Sequence, residues 1–216
     1  MKKINNIIFD FDGTLVDTAP LIVKTMMSTI EELNLPKRSE SECKLTIGLR
    51  LEDVPAVLWP EKDNLSLIFA NTYRRLFDEL KRPLDVKCFP DVINTLRDLY
   101  KAGVRMAIAS SRSHKSLEEY ISLFELDKCF CQLVGGNDVA NGKPSPEPVL
   151  TILEQQNWIA DETLTVGDAT VDIMMGKTAG TQTCAVTYGN GIFEELKATN
   201  PDYLIDSFAN LRDFII

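Results

Sequence analysis

Three short apolar segments of this chain share one feature: each ends in residues whose side chains can do chemistry. They are residues 4–8, followed by Phe-Asp-Phe-Asp-Gly-Thr-Leu, residues 104–109, followed by Ser-Ser, and residues 163–166, followed by Gly-Asp. Short runs of this kind are typical of strands buried in a parallel sheet, where ligands bind at the carboxyl ends of the strands. The pattern therefore predicts a parallel sheet with a polar site along one edge.

From about residue 83 onward, segments with strand character alternate with segments of helical periodicity. Between Asp91 and Ala102, apolar residues recur at 92, 93, 96 and 99, and Gly103 follows as a helix stop. This alternation predicts an α/β fold, a Rossmann-like parallel sheet core with helices on both faces. The predicted helices are 91–102, 114–124, 146–157 and 170–179, and the predicted strands are 104–109, 131–135, 163–167, 184–188 and 203–205.

Residues 17–82 have a different pattern, with helical periodicity and no clear strand. We expect them to form a small all-helical domain over the site, called here the helical lobe. The predicted domains are therefore an α/β core of residues 1–16 and 83–216 and a helical cap of residues 17–82. The periodic stretches of the helical lobe are 21–33, 51–58 and 65–80.

Asp10 and Asp12 are two carboxylates at alternate positions directly after the first apolar segment. If the strand stayed regular through Asp12, both would face the same way. Such a pair can bind a hard cation, and one carboxylate can attack phosphorus while the other transfers a proton. A plain acidic turn, with Gly13 supplying the bend, is the alternative interpretation of this motif alone.

Two later segments favour the chemical interpretation. Lys143 lies between a glycine and a proline before a predicted helix, and Asp168 is followed four residues later by Asp172. Each segment alone is weak evidence. Together with Ser110 and the first motif, in this order, they supply what phosphoryl transfer needs: a nucleophile, an acid/base, a hydroxyl and a cation for phosphate, and metal-binding acids.

On these motifs the chain resembles the haloacid dehalogenase-like superfamily, in the branch with a helical cap inserted after the first motif. The resemblance covers essentially the whole chain. It implies that Asp10 is the nucleophile and forms an aspartyl-phosphate, and that Asp12 is the acid/base. It also implies a Mg²⁺ site formed by Asp10, the Asp12 carbonyl and Asp168, with Asp172 holding either metal-bound water or Lys143.

The same resemblance assigns the remaining phosphate-handling residues. Ser110 would donate a hydrogen bond to a phosphoryl oxygen, helped by the Ser111 amide, and Lys143 would neutralise charge on the nucleophile and the transferring group. Gly13 permits the turn after the motif, and Thr14 is expected to brace the loop by hydrogen bonding.

Departures from the family pattern narrow the reaction. True dehalogenases lack the second acid of the first motif, which argues against carbon–halogen cleavage. Sugar-phosphate mutases with this cap carry a histidine where Ile22 stands, which argues against a mutase. Phosphonate-cleaving relatives need a Schiff-base lysine in the cap; Lys24 is a candidate for it, but the first motif does not otherwise match theirs. Residues 16–20 and 47–50 resemble phosphoglycolate phosphatases and related pyrophosphatases most. We therefore expect a magnesium-dependent phosphatase acting on a small phosphate monoester.

Three alternatives remain open from the sequence: a sugar-phosphate mutase, a pyrophosphatase, and a non-catalytic protein that binds a phosphorylated metabolite. Within the helical lobe, Arg50 is a candidate for binding a second anionic group of the substrate, because a guanidinium suits a carboxylate or a phosphate. The competing interpretation is that Arg50 is only a surface residue of the cap.

The formal net charge of −9 argues against nucleic acid or an anionic membrane as a partner. No run of 18 apolar residues is present, and no signal-like apolar stretch precedes the first motif. The five cysteines are odd in number and lack paired zinc spacing, so we expect free thiols in a reducing cytoplasm. The expected partner is a small phosphorylated metabolite, and the protein is expected to be a monomer or a homodimer.

Overall fold

A computed structural model of the protein describes residues 3–62, 64–82 and 86–216. The strands among these residues are β1 (Asn6–Phe9), β2 (Val16–Asp17), β3 (Lys87–Cys88), β4 (Arg105–Ala109), β5 (Gln132–Val134), β6 (Thr163–Gly167), β7 (Gln182–Val186) and β8 (Tyr203–Ile205). Six of them form a parallel sheet in the order β5-β4-β1-β6-β7-β8, and β2 and β3 form a short antiparallel pair.

Helices cover both faces of this sheet and make up most of the helical lobe. They are α1 (Ala19–Glu32), α2 (Glu40–Lys44), α3 (Val54–Leu58), α4 (Ser66–Leu80), α5 (Val92–Lys101), α6 (His114–Leu123), α7 (Glu147–Gln156), α8 (Thr170–Thr178), α9 (Phe193–Ala198) and α10 (Arg212–Ile215). The predicted α/β class, a Rossmann-like parallel sheet with helices, is confirmed. No described helix is long and apolar enough to cross a bilayer.

The central strand β1 is buried on both sides, which explains its nearly continuous apolar sequence. Ile7 and Phe9 pack into the cluster that contains Leu96 of helix α5. Ile8, on the opposite face, packs with Val149 and neighbouring residues of helix α7. Because side chains alternate along a strand, this one segment joins the two hydrophobic layers of the molecule.

The strand register brings three motifs together. Strand β1 pairs with β4 on one side, Phe9 opposite Ile108, and with β6 on the other, Phe9 opposite Val166. All three strands run in the same direction, so their carboxyl ends lie at one edge. The residues that follow them are Asp10, Ser110 and Asp168.

Some predicted boundaries were wrong. The helix predicted at 51–58 begins only at Val54, because residues 51–53 form turns. The strand predicted at 184–188 lies two residues earlier, since its pairing with β6 starts at Gln182.

The chain enters and leaves the helical lobe through the short antiparallel pair β2–β3. Val16 pairs with Cys88 and Asp17 pairs with Lys87, so the expectation of no strand in 17–82 is wrong at its first residue. The division into a core and a cap stays a prediction, and residues 83–85 at its second boundary lie outside the described part of the chain.

Candidate active site

The loop after β1 turns sharply and lies against the loop after β6. The Asp10 N–H donates to the Val166 carbonyl at 2.8 Å, and the Gly13 N–H donates to the Val16 carbonyl at 2.9 Å. Gly13 has a φ of +94°, and a Cβ there would lie 2.3 Å from Oδ2 of Asp168. Both the backbone conformation and the close contact therefore require glycine.

Lys143 lies between two carboxylates at the centre of this edge. Its Nζ donates to Oδ1 of Asp10 and, at 2.6 Å, to Oδ1 of Asp172. All three side chains are at least nine-tenths buried. Asp172 is fixed further by the Ala169 N–H, which donates to its Oδ2 at 3.0 Å. The structure thus brings Asp10, Lys143 and Asp172 together as one buried ionic group.

Asp168 is buried beside this group and has its own donors. The Thr14 hydroxyl donates to Oδ1 at 3.0 Å, and the Asn190 N–H donates to Oδ2 at 2.6 Å. The Thr14 hydroxyl therefore links the first loop to Asp168. Asn190 was not identified from the sequence, since its loop is brought here only by the strand order.

Burial and crowding of negative charge raise the pKa of two of these carboxyls. Burial is the main cause for Asp10, whose pKa is raised well above its ordinary value despite the nearby Lys143. Burial and the charge of Asp172 raise the pKa of Asp168 to about 7. Burial alone would lower the pKa of Lys143, but Asp10 and Asp172 together outweigh it, so its pKa is raised. One ammonium thus faces three buried carboxyls.

This arrangement fits a divalent cation. One carboxylate oxygen from each of Asp10, Asp168 and Asp172 lies within 4.8 Å of the others. An all-oxygen donor set suits hard cations such as Mg²⁺ and Ca²⁺. A bound cation would also supply the positive charge that Lys143 alone does not, which would allow Asp10 and Asp168 to be ionised together.

Asp12 has a different partner from Asp10. The Arg112 Nε and Nη2 donate to its two oxygens at 3.1 and 2.6 Å, and the Thr18 hydroxyl donates to Oδ1 at 2.5 Å. Strand β1 ends at Phe9, so the condition for both carboxylates to face the same way is not met. Arg112 was missed from the sequence, although its place two residues after Ser110 was a usable signal.

The helical lobe contacts the site through the loop of residues 48–50. The Ser111 hydroxyl donates to the Gly48 carbonyl at 2.6 Å, and Arg50 Nη1 donates to the Ala140 carbonyl at 2.8 Å. The Arg50 side chain packs against Gly142, where a Cβ would lie 2.5 Å from its Cδ. Arg50 therefore touches the loop that carries Lys143.

A cavity of about 270 Å³ opens onto these groups between the core and the helical lobe. Its walls include Asp10, Asp12, Ser110, Arg50 and Arg112. The Ser110 side chain is buried here, and its Oγ accepts from the Arg112 N–H at 3.2 Å. A larger groove of about 1310 Å³ lies along helix α1, and none of these five residues lines it.

Comparisons with known proteins agree on one family. A family model described as haloacid dehalogenase-like hydrolase matches residues 7–186. The pyrophosphatase PpaX of Halalkalibacterium halodurans is 30% identical over 99% of this chain and 97% of its own length. A phosphoglycolate phosphatase of Salmonella typhimurium is 27% identical over 98% of this chain and 92% of its own length.

The fold comparison agrees with the sequence comparison. A solved haloacid dehalogenase-like structure from Bacteroides fragilis superposes with a TM-score of 0.91, at 30% identity, and covers 97% of this chain and 100% of its own. The fold of this chain is therefore that of a known structural group across nearly its whole length.

The aspartate cluster should reveal a cation through thermal stability. Because folding raises the pKa of Asp168 from 3.8 to about 7, the folded, metal-free chain binds a proton that the unfolded chain has lost. Asp168 therefore lowers the free energy of unfolding of the metal-free chain as the pH rises from 3.8 to about 7. Below about pH 7, protons compete with the metal for its carboxylate. We expect the rise in Tm on adding Mg²⁺ to be larger at about pH 8 than at about pH 6.

Asp168→Asn should abolish most of this Mg²⁺-dependent rise, while Asp127→Asn, a change at an exposed aspartate, should retain it. A rise in Tm that is equal at both pH values, or none at all, would contradict a cation site formed by these carboxylates.

Proposed function

Because this chain belongs to the haloacid dehalogenase-like hydrolase family, we propose that it is a magnesium-dependent phosphatase that hydrolyses a small phosphate monoester. The observation that supports this most is the pairing of buried Asp10 with Lys143 at the carboxyl edge of the sheet, beside Asp168. Asp10 also lines the cavity of about 270 Å³, together with Asp12 and Ser110, which supports a phosphate-binding role for this cavity.

In the proposed first step, an Asp10 carboxylate oxygen attacks phosphorus. A bond from this oxygen to phosphorus forms as the ester P–O bond breaks, and the leaving oxygen takes that electron pair and a proton from Asp12. In the second step, water attacks the same phosphorus and gives a proton to Asp12. The bond between Asp10 and phosphorus breaks, which releases phosphate and regenerates the Asp10 carboxylate.

The surrounding groups stabilise charge in both steps. Lys143 offsets negative charge at Asp10 and the transferring group, and Ser110 with the Ser111 N–H donates to phosphoryl oxygens. Gly13 and Thr14 hold the substrate-facing loop in place. Mg²⁺ would be held by Asp10, Asp168 and the Asp12 carbonyl, with Asp172 acting through Lys143, and would supply positive charge toward the phosphoryl oxygens.

A second candidate substrate is inorganic pyrophosphate. It is favoured by one observation, the 30% identity over nearly the full length to a relative named as a pyrophosphatase. Phosphoglycolate should be tested beside pyrophosphate, because it also carries a second anionic group and a relative at 27% identity is named as a phosphoglycolate phosphatase.

All five cysteines are free thiols, which supports a reducing compartment such as the cytoplasm.

We predict that Asp10→Asn reduces turnover of an aryl phosphate to less than about a hundredth of the wild-type rate. The amide is nearly isosteric but cannot act as the nucleophile. Steady-state rates with Mg²⁺ measure the effect, and a hundredfold loss corresponds to about 2.7 kcal/mol of transition-state stabilisation.

Asp127→Asn is the matched control for Asp10→Asn, because it makes the same chemical change at an exposed position. The intact mass of the Asp10→Asn protein should be checked for deamidation before and after the assay. Retention of more than the stated fraction of activity would exclude Asp10 as the nucleophile.

Arg50 is proposed to bind a second anionic group of the substrate. Arg50→Ala should raise KM for pyrophosphate or phosphoglycolate about tenfold or more, since a charge-assisted hydrogen bond contributes about 1.5–3 kcal/mol. KM for an aryl phosphate, which has no second anionic group, should change little. Arg50→Gln is the matched variant, because it removes the charge but keeps a donor for the Ala140 carbonyl. Equal losses on both substrates would assign Arg50 to the contact between the helical lobe and the core.

A further inference from the structure

The guanidinium of Arg112 holds both oxygens of the Asp12 carboxylate. Its Nε and Nη2 form the two parallel bonds of a bidentate pair, at 3.1 and 2.6 Å. The remaining Nη1 donates to the Ser116 hydroxyl at 3.0 Å. The two paired side chains are only 7% and 12% exposed, so the pair is largely screened from water.

Three aromatic rings surround the same guanidinium. Its central carbon lies 5.6 Å from the ring centre of Phe11, 5.2 Å from that of Phe77 and 5.0 Å from that of Tyr120. Phe77 belongs to helix α4 of the helical lobe, whereas the other two rings belong to the core. One ring of the helical lobe and two rings of the core therefore lie against the same guanidinium, within the range of cation–π attraction.

The two carboxylates of the first motif are therefore held by two different cations. Asp10 is paired with Lys143, and Asp12 is paired with Arg112. The Thr18 hydroxyl, just before helix α1, is a third donor to Asp12. Three fixed donors define one orientation of a carboxylate that, on the proposed mechanism, must reach the leaving oxygen and then the attacking water.

We propose that Arg112 is the positioning residue of Asp12 and that Phe77 connects this position to the helical lobe. This inference rests on the proposed function. Arg112 acts through Asp12 and not on the substrate. A lysine at this position would keep the charge but lose the fork that holds both oxygens, so it separates positioning from charge.

The test compares Arg112→Lys with Arg105→Lys. Arg105 is the matched control, because it also stacks on an aromatic ring, Trp158, and donates to one side chain, Asn6, but it lies at the start of strand β4, away from the site. With Mg²⁺, Arg112→Lys should lower kcat at least about tenfold on 4-nitrophenyl phosphate and on glycerol phosphate, because misplacing a catalytic group by about 1 Å can cost a hundredfold. On glycerol phosphate, KM should change by less than about threefold, since uniform binding is left intact. On 4-nitrophenyl phosphate, KM should fall together with kcat, because the phosphorylated enzyme accumulates.

A burst of nitrophenol gives a second readout. Nitrophenolate departs with little help from an acid, but hydrolysis of the aspartyl-phosphate still needs Asp12 as a base. Arg112→Lys should therefore show a burst of about one nitrophenol per enzyme before the slow steady state. A purely structural loss of active protein would lower the rate without such a burst.

A double variant tests whether Arg112 acts through Asp12. In the Asp12→Asn background, adding Arg112→Lys should change the residual rate by less than about twofold, because residues that act as a unit are not additive. If Arg112→Lys lowers the rate as much in the Asp12→Asn background as in the wild type, Arg112 acts independently of Asp12 and the proposal is overturned.

Other outcomes are equally decisive. An unchanged kcat in Arg112→Lys would overturn the proposal. A rise in KM confined to substrates with a second anionic group, such as pyrophosphate or phosphoglycolate, would assign Arg112 to substrate binding instead. An inactive wild-type enzyme on every phosphate ester would refute the proposed function itself. If Arg112→Lys shows no cooperative thermal unfolding transition, the Phe77→Leu variant is assayed instead. A nitrophenol burst in that variant would support positioning of Asp12, and a wild-type kcat without a burst would overturn the proposal.

Discussion

The buried ammonium of Lys143 is the interaction on which the rest of the site depends. It neutralises part of a cluster of three carboxyls that would otherwise repel one another in a region with little water. Because its two partners come from the loop after β1 and from helix α8, the same ammonium also ties together two segments that are far apart in sequence. Burial, and after it the remaining negative charge, raises the pKa values of Asp10 and Asp168. The same negative charge favours a divalent cation at this cluster.

The sheet explains why these groups can meet. Parallel strands β4, β1 and β6 end at one edge, so the three residues that follow them are neighbours in space although they lie far apart in the sequence. The loop from Lys143 and the first turn of α8 then close this edge from one side. The helical lobe closes it from the other, through Gly48, Arg50 and Phe77.

Local pattern was enough to predict the parts of the site that depend on strand ends. Apolar runs followed by Asp10, Ser110 and Asp168 define both the strands and their exits, and the family resemblance offered the contact of Asp172 with Lys143 as one of two options. The position of Arg112 two residues after Ser110 was a usable signal, but local pattern does not contain its contact with Asp12, because that contact joins residues 100 positions apart through side chains alone. Local pattern also does not contain the hydrogen bond from the Ser111 hydroxyl to the Gly48 carbonyl, which joins residues 63 positions apart.

Element boundaries failed where pairing or local turns overrode periodicity. The two-residue strands β2 and β3 are too short to leave a pattern, and only their mutual pairing defines them. Helix α3 is shorter than its apolar period suggested because residues 51–53 form turns before it. Such features depend on contacts with the rest of the fold, which no short window of sequence contains.

The central claim is that Asp10 becomes covalently phosphorylated during turnover. The most direct test mixes the Asp12→Asn protein rapidly with 4-nitrophenyl phosphate and Mg²⁺, quenches it in acid, and maps the added mass by peptide mass spectrometry. The account predicts one phosphoryl group on the peptide that contains Asp10, and none when Asp10→Asn is combined with the same change. Product formation with the phosphoryl group on another residue, or with no phosphorylated protein at any time, would contradict it.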